Sequence, residues 1–394
     1  MNTGSKEWFG KAIIYHIFID RFAGFKSEHA WNKPRFIGGN ITGIIDKIPY
    51  LSDLGINTIL LSPFYKTVSY HGYHIVDYFK IDPNYGTLND IKNLIAIAAS
   101  KNINIIIDFV PNHCSVKHPF FEEAVTDKKS PYHNWFFFKK WPEKYICFLH
   151  YKELPKLNLK NPETAGYIID AADYWLSLGF KGLRVDHVIG LPVSFLKKFI
   201  NYLNNKYPES VILGEAWGAG LSWKELKTVA LPNKYWSWLR KMSQEELQLK
   251  YQSYLDGVLD FSFQQIITDE LAYKKTYEIN SVHHKLTTHY SRYSKKFFLP
   301  SFLDNHDTSR FLYKSGQKRN KLMSALEIQF QQTQPPIIYY GTESGLTHKK
   351  EVSPFNAFSD LQARRPMNWN KPDKELHAFV KELIYMRKEL KSKQ

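Results

Sequence analysis

Eight short runs of β-forming apolar residues, spaced by amphipathic helical patterns, constrain this chain more than any other feature. They are AIIYHIF (12–18), INTILLS (56–62), INIIIDFV (103–110), GLRVD (182–186), SVILGEA (210–216), GVLDF (257–261), FFLPSFL (297–303) and PIIYYG (336–341). Their unalternating hydrophobicity fits strands buried on both faces. Strands alternating with helices imply βαβ units and a parallel sheet. Eight such units is the count of a closed (β/α)8 TIM barrel, an α/β fold. An open doubly wound sheet would need a Gly-rich phosphate loop after an early strand, and none is present. The stretch 161–179 starts at Asn161-Pro162 and ends at Gly179, matching helix start and stop signals. The amphipathic stretch 374–393 reads as the eighth helix.

One segment breaks the rhythm. Residues 112–159 are aromatic, contain Pro and show no clear helix, and they are too long for an ordinary connection. The expected division is a catalytic barrel over 1–111 and 160–394, with a small subdomain inserted over 112–159 after strand 3. The region from Ala219 to Asp256, with Trp223, Trp236 and Trp238, reads as a helical elaboration of the fifth loop.

Polar residues gather where the strands end. Asp108, Asn112 and His113 close the third, Arg184 and Asp186 the fourth, Glu215 the fifth, His306 and Asp307 the seventh. A barrel brings such ends to one face. One Asp at a strand end is ordinarily a cap or turn residue; four clusters on one rim call for chemistry. Glycoside hydrolysis needs two carboxyls in different protonation states. Arg184 and Asp186 flank Val185, so both point to one side of a strand. A cation that close keeps Asp186 ionised as a nucleophile. Glu215 has no such partner in sequence and neighbours Trp217, which favours a protonated acid. Metal hydrolysis is the rival, with His113, His306, Asp186 and Glu215 as ligands. There is no closely spaced HExxH-type pair, and Arg184 is a poor neighbour for a metal, so no catalytic metal is expected.

These motifs, in this order, resemble those of the α-amylase family, glycoside hydrolase family 13. YHIFIDRF (15–22), SYHGYHIVDY (69–78), KIDPNYGT (80–87), IIYYGTE (337–343) and DLQARRPMNW (360–369) extend the resemblance over nearly the whole chain. LPKLN (154–158) and RRPMNW point to the neopullulanase and cyclomaltodextrinase group. The resemblance implies a retaining hydrolase of α-1,4 glucosidic bonds in malto-oligosaccharides, with α-1,6 bonds as an alternative linkage. Asp186 would form the covalent glycosyl intermediate. Glu215 would protonate the leaving group and then activate water. Asp307 would bind sugar hydroxyls and favour ring distortion, and Arg184 would hold Asp186 ionised. His113 and His306 would bond to hydroxyls of the sugar at the cleavage point, and Tyr73 would stack beneath it. His71, Asp360 and Arg364 match further sugar contacts.

Several positions depart from the family. Lys156 stands where calcium-binding members carry an Asp ligand, although Asn112 matches another ligand position. An ammonium cannot ligate calcium and could occupy the cation's place. No cofactor is therefore expected, and Lys156 stands against a structural calcium. HVIGLP (187–192) departs from the usual Ala-containing patterns on the leaving-group side. The β-sandwich domain that usually follows the eighth helix is not found.

Formal net charge is +15, but Lys and Arg are scattered with no basic tract, so neither nucleic acid nor a membrane is an expected partner. Two cysteines make no disulfide framework, and reduced thiols fit a cytoplasmic chain. Oligomeric state is not legible. Transglycosylation through the same intermediate is the main alternative activity. A non-catalytic carbohydrate-binding barrel is the second, against which stand Asp186, Glu215 and Asp307, all present.

Overall fold

The computed structural model describes residues 6–25, 31–218, 242–353 and 358–392. Each of the eight runs forms a strand: β1 (Ile14–Ile17), β2 (Thr58–Leu61), β3 (Asn104–Phe109), β4 (Gly182–Val185), β5 (Val211–Gly214), β6 (Gly257–Val258), β7 (Ser301–Phe302) and β8 (Pro336–Tyr339). They form one sheet in the order β6-β5-β4-β3-β2-β1-β8-β7, which follows the chain. The pairs β1–β2, β1–β8, β4–β5, β5–β6 and β7–β8 are parallel. Just past β6, Asp260 makes a parallel bridge to Ser301 of β7, spanning the remaining gap in that order. The fold is the (β/α)8 barrel. Nearly every strand residue is buried, as strands covered on both faces require.

Helices α1 (Ile41–Leu54), α2 (Leu88–Ser100), α3 (Pro162–Ser177), α4 (Val193–Lys206), α5 (Gln244–Leu249), α6 (Ile279–Ser291), α7 (Arg319–Gln331) and α8 (Lys374–Ser392) intervene. Their ends follow local chemistry. Asn161 accepts from the backbone N–H groups of Glu163 and Thr164, with Pro162 in the first turn of α3. Thr87 and Asp90 form a capping box on α2. Gly55, at φ 96°, closes α1 in the left-handed conformation.

The chain divides into two compact units. The first comprises 1–62, 84–106 and 259–394. In its core the buried Glu343 carboxylate accepts from the hydroxyls of Tyr15 and Tyr50, both at 2.8 Å. The second comprises 63–83 and 107–258. Its core centres on Trp175 of α3, which is fully buried. Trp175 packs on Phe64 and Tyr65 and donates its indole N–H to the Tyr78 carbonyl at 2.7 Å.

Residues 112–159 lie within the second unit. Contrary to expectation, this segment contains a helix, Pro119–Thr126. It is only two turns long, so a periodicity criterion misses it, yet it carries start signals: Pro119 in its first turn and the His118 ring accepting from the Phe120 N–H. Two antiparallel ribbons follow, Phe138–Lys140 with Lys144–Tyr145 and Cys147–Phe148 with Tyr151–Pro155. Cys114 and Cys147 are free thiols. Past β5, residues 242–253 are mainly helical, while Trp223, Trp236 and Trp238 lie outside the described residues. Among the described residues no helix is long and apolar enough to cross a membrane.

Candidate active site

In the second unit, Arg184 on β4 organises three carboxylates. Its Nη1 lies 2.7 and 2.8 Å from the two oxygens of Asp108, at the end of β3, and 2.8 Å from Oδ1 of Asp186. Its Nη2 lies 2.5 Å from Oε1 of Glu215. All four side chains are nearly buried. Burial opposes the guanidinium charge, but Asp108, Glu215 and Asp186 outweigh it and hold Arg184 above its ordinary pKa.

Arg184 and Asp186 meet on one side of the strand, as their spacing requires. The expectation that Glu215 lacks a cationic partner is overturned. Register explains the difference: Val185 pairs with Gly214, so the next residues, Asp186 and Glu215, sit side by side although they are distant in sequence. The remaining Glu215 oxygen, Oε2, accepts from the backbone N–H of His187 at 3.0 Å.

Tyr73 donates its hydroxyl to Asp108 at 2.8 Å, and its ring leans on that of His71, whose Nδ1 accepts from the Tyr73 N–H. His113 is buried with its ring stacked on Phe148 at 4.6 Å. Burial, with His187, His74 and Lys156 nearby, holds His113 well below the usual histidine range, so it is neutral. Among the described residues its buried Nε2 has no hydrogen-bond partner. Such an atom is costly unless something binds it.

Lys156 decides how well this loop suits calcium. Its ammonium is buried and donates to the side-chain oxygen of Asn112 and, at 2.7 Å, to the Gly190 carbonyl. The Asn112 and Gly190 oxygens are therefore already taken by the lysine's N–H donors. A calcium ion wants six to eight oxygen ligands, several of them anionic, and these residues do not fit it.

The first unit holds the other predicted residues. Asp307, which follows β7, lies 3.0 Å from Nε2 of His306 and 2.9 Å from Nη2 of Arg364. Arg364 also donates Nε to the His306 carbonyl and pairs with Asp360. Its guanidinium lies over the ring of Phe18. Asp307, Asp360, His306 and Arg364 thus form one network, although Arg364 is 57 residues beyond Asp307. Phe148, Phe18 and the His187 N–H were not singled out from sequence. Aromatic residues are too common here to stand out, and a backbone direction leaves no mark in composition.

A family model described as alpha amylase, catalytic domain, matches residues 16–392. Alpha-amylase 2 of Dictyoglomus thermophilum is 39% identical, covering 97% of this chain and 64% of that protein. A cyclomaltodextrinase of Thermoanaerobacter pseudethanolicus is 32% identical, again covering 97% of this chain and 64% of that protein. The chain thus spans under two thirds of the length of both. Among solved structures, the cyclic α-maltosyl-(1→6)-maltose hydrolase of Arthrobacter globiformis in complex with maltose superposes with a TM-score of 0.81 at 25% identity, covering 97% of this chain and 84% of that one.

Proposed function

The chain belongs to the alpha-amylase family, and from that premise we propose that it is a retaining glycoside hydrolase acting on α-1,4 glucosidic bonds of malto-oligosaccharides, with α-1,6 bonds as the alternative linkage. One observation carries the reading: a single buried guanidinium holds both Asp186 and Glu215. A retaining pair needs carboxyls about 5–5.5 Å apart, and two carboxylates on the two arms of one guanidinium are close neighbours.

Asp186 attacks the anomeric carbon as the glycosidic C–O bond breaks, and Glu215 gives its proton to the departing oxygen. Glu215 then takes a proton from water, whose oxygen displaces Asp186 from the sugar. The charge balance favours a proton within this cluster. Three carboxylates share one guanidinium, so like-charge repulsion favours a proton on one of them. Asp108 takes both of its contacts from Nη1, and Asp186 shares that arm. Glu215, on Nη2, takes the proton carrier's role by its place at the end of β5, as the family resemblance implies.

His113 offers its unpartnered Nε2 to a sugar hydroxyl. Tyr73, His71, His306, Asp307, Asp360 and Arg364 are assigned to binding the sugar. The enzyme works without calcium, with Lys156 as the cation at that position.

Product profiling on maltotriose, isomaltose, pullulan and cyclodextrin tests the reading. Reducing-sugar release from at least one is expected. Longer products from maltotriose would make the enzyme a transferase, and no turnover of any of the four would end the α-glucan assignment.

A further inference from the structure

Five described residues other than glycine have positive φ: Asn102, Leu149, His187, Gln317 and Phe358. Asn102 and Gln317 follow helices, where the left-handed conformation is a common exit. His187 has no such excuse. It follows a strand, at φ 43° and ψ 49°, and is nearly buried. L-residues other than glycine enter this region against steric resistance. Held strain of this kind clusters at functional sites.

Its consequence is specific. The His187 N–H reaches Oε2 of Glu215 at 3.0 Å, and the next N–H, of Val188, reaches the Glu215 carbonyl at 3.2 Å. With Arg184 on Oε1, both carboxyl oxygens are gripped by donors, so the carboxyl plane cannot turn. The ring explains how the strained backbone is kept. It meets Phe148 edge to face at 4.7 Å. On another side its Cδ2 lies only 2.7 Å from where a Cβ on Gly190 would be. Resting on the reading of Glu215 as acid/base, we propose that His187 is a positioning residue. Its left-handed backbone, wedged by the ring against Phe148, aims an N–H at Glu215 and fixes the direction in which the proton leaves.

The test compares kcat/KM, which reports steps only up to departure of the leaving group, on maltotriose and on α-maltosyl fluoride. Fluoride departs with little help from a proton donor. His187→Val, whose branched side chain resists the left-handed conformation, is expected to lose about 10–100-fold on maltotriose, as misplacement of a catalytic group does. On the fluoride it should stay within about threefold, since there the positioned proton is not needed. His187→Asn, which tolerates that conformation, recovers most of the loss. His187→Gly keeps the conformation but not the wedge, and shows a smaller loss with the same split. Equal losses on both substrates, or an undiminished maltotriose rate in His187→Val, would overturn the proposal. Glu215→Gln is the control. If it lacks the split, the acid/base reading itself fails; if it has the split and the His187 variants lack it, only the positioning role falls.

Discussion

Arg184 reaches Glu215 with Nη2 at 2.5 Å, so the guanidinium beside the proposed nucleophile, Asp186, also grips the proposed acid. Removing it leaves Asp108, Asp186 and Glu215 buried without their cation. Arg184→Met is expected to destabilise the fold by about 3–5 kcal/mol, the usual cost of an uncompensated buried charge. The loss should shrink as pH falls from 7 to 5, because protonation relieves the crowded carboxylates. Urea denaturation at the two pH values measures this; a pH-independent loss would mean that packing, not charge, is what Arg184 supplies.

Asp186 carries the bond-forming step in the proposed mechanism. Asp186→Ala should lower kcat on maltotriose by about 10⁴-fold or more, the scale seen when a nucleophile is deleted. Reducing-sugar assays read the result, and near-normal turnover would exclude Asp186 as the nucleophile.

Lys156 offers a gain-of-function experiment. Lys156→Asp places a carboxylate beside the Asn112 and Gly190 oxygens, which is a calcium-like ligand set. The variant's melting temperature should rise with millimolar calcium while the parent's does not respond to calcium or to chelator. A parent that loses stability in chelator would show that the ammonium does not replace a metal.

The same lysine gives a pH signature. Burial pushes its pKa down to about 7, whereas the unfolded chain keeps the proton to about 10.4. Between those values the unfolded state binds more protons, so stability rises with pH across the window. Lys156→Met lacks the group. The stability of the parent minus that of the variant should therefore climb from pH 7 to 10, measured by denaturant titration; a flat difference refutes it.

Arg364 holds Asp307 through a charged hydrogen bond at 2.9 Å. Such bonds contribute about 1.5–3 kcal/mol. If Asp307 binds sugar as proposed, Arg364→Ala should lower kcat/KM about 10–100-fold as well as the melting temperature. A lower melting temperature with kcat/KM unchanged would assign the arginine to structure alone.

The barrel was legible because burial on both faces writes itself into the chain: all eight apolar runs became strands, though β6 and β7 pair over only two residues each. The Asn161–Pro162 cap and the Arg184–Asp186 pairing were legible too, since both depend on neighbours in sequence. What sequence hid depends on register and on backbone direction. The Arg184–Glu215 contact arises because Val185 pairs with Gly214. The His187 N–H reaches its acceptor only in a conformation that no residue pattern announces. The helix Pro119–Thr126 escaped because two turns are too few for periodicity to register among so many aromatics.

Gly190 has a consequence of a different kind. A methyl group there would lie 2.3 Å from the amide oxygen of Asn112, which Lys156 holds, and against the His187 ring. Position 190 is therefore coupled sterically to 112 and 187, and through the Asn112 amide to 156. A side chain at 190 would therefore displace both the amide on which the lysine perches and the imidazole's seat, whatever residue stands at 156.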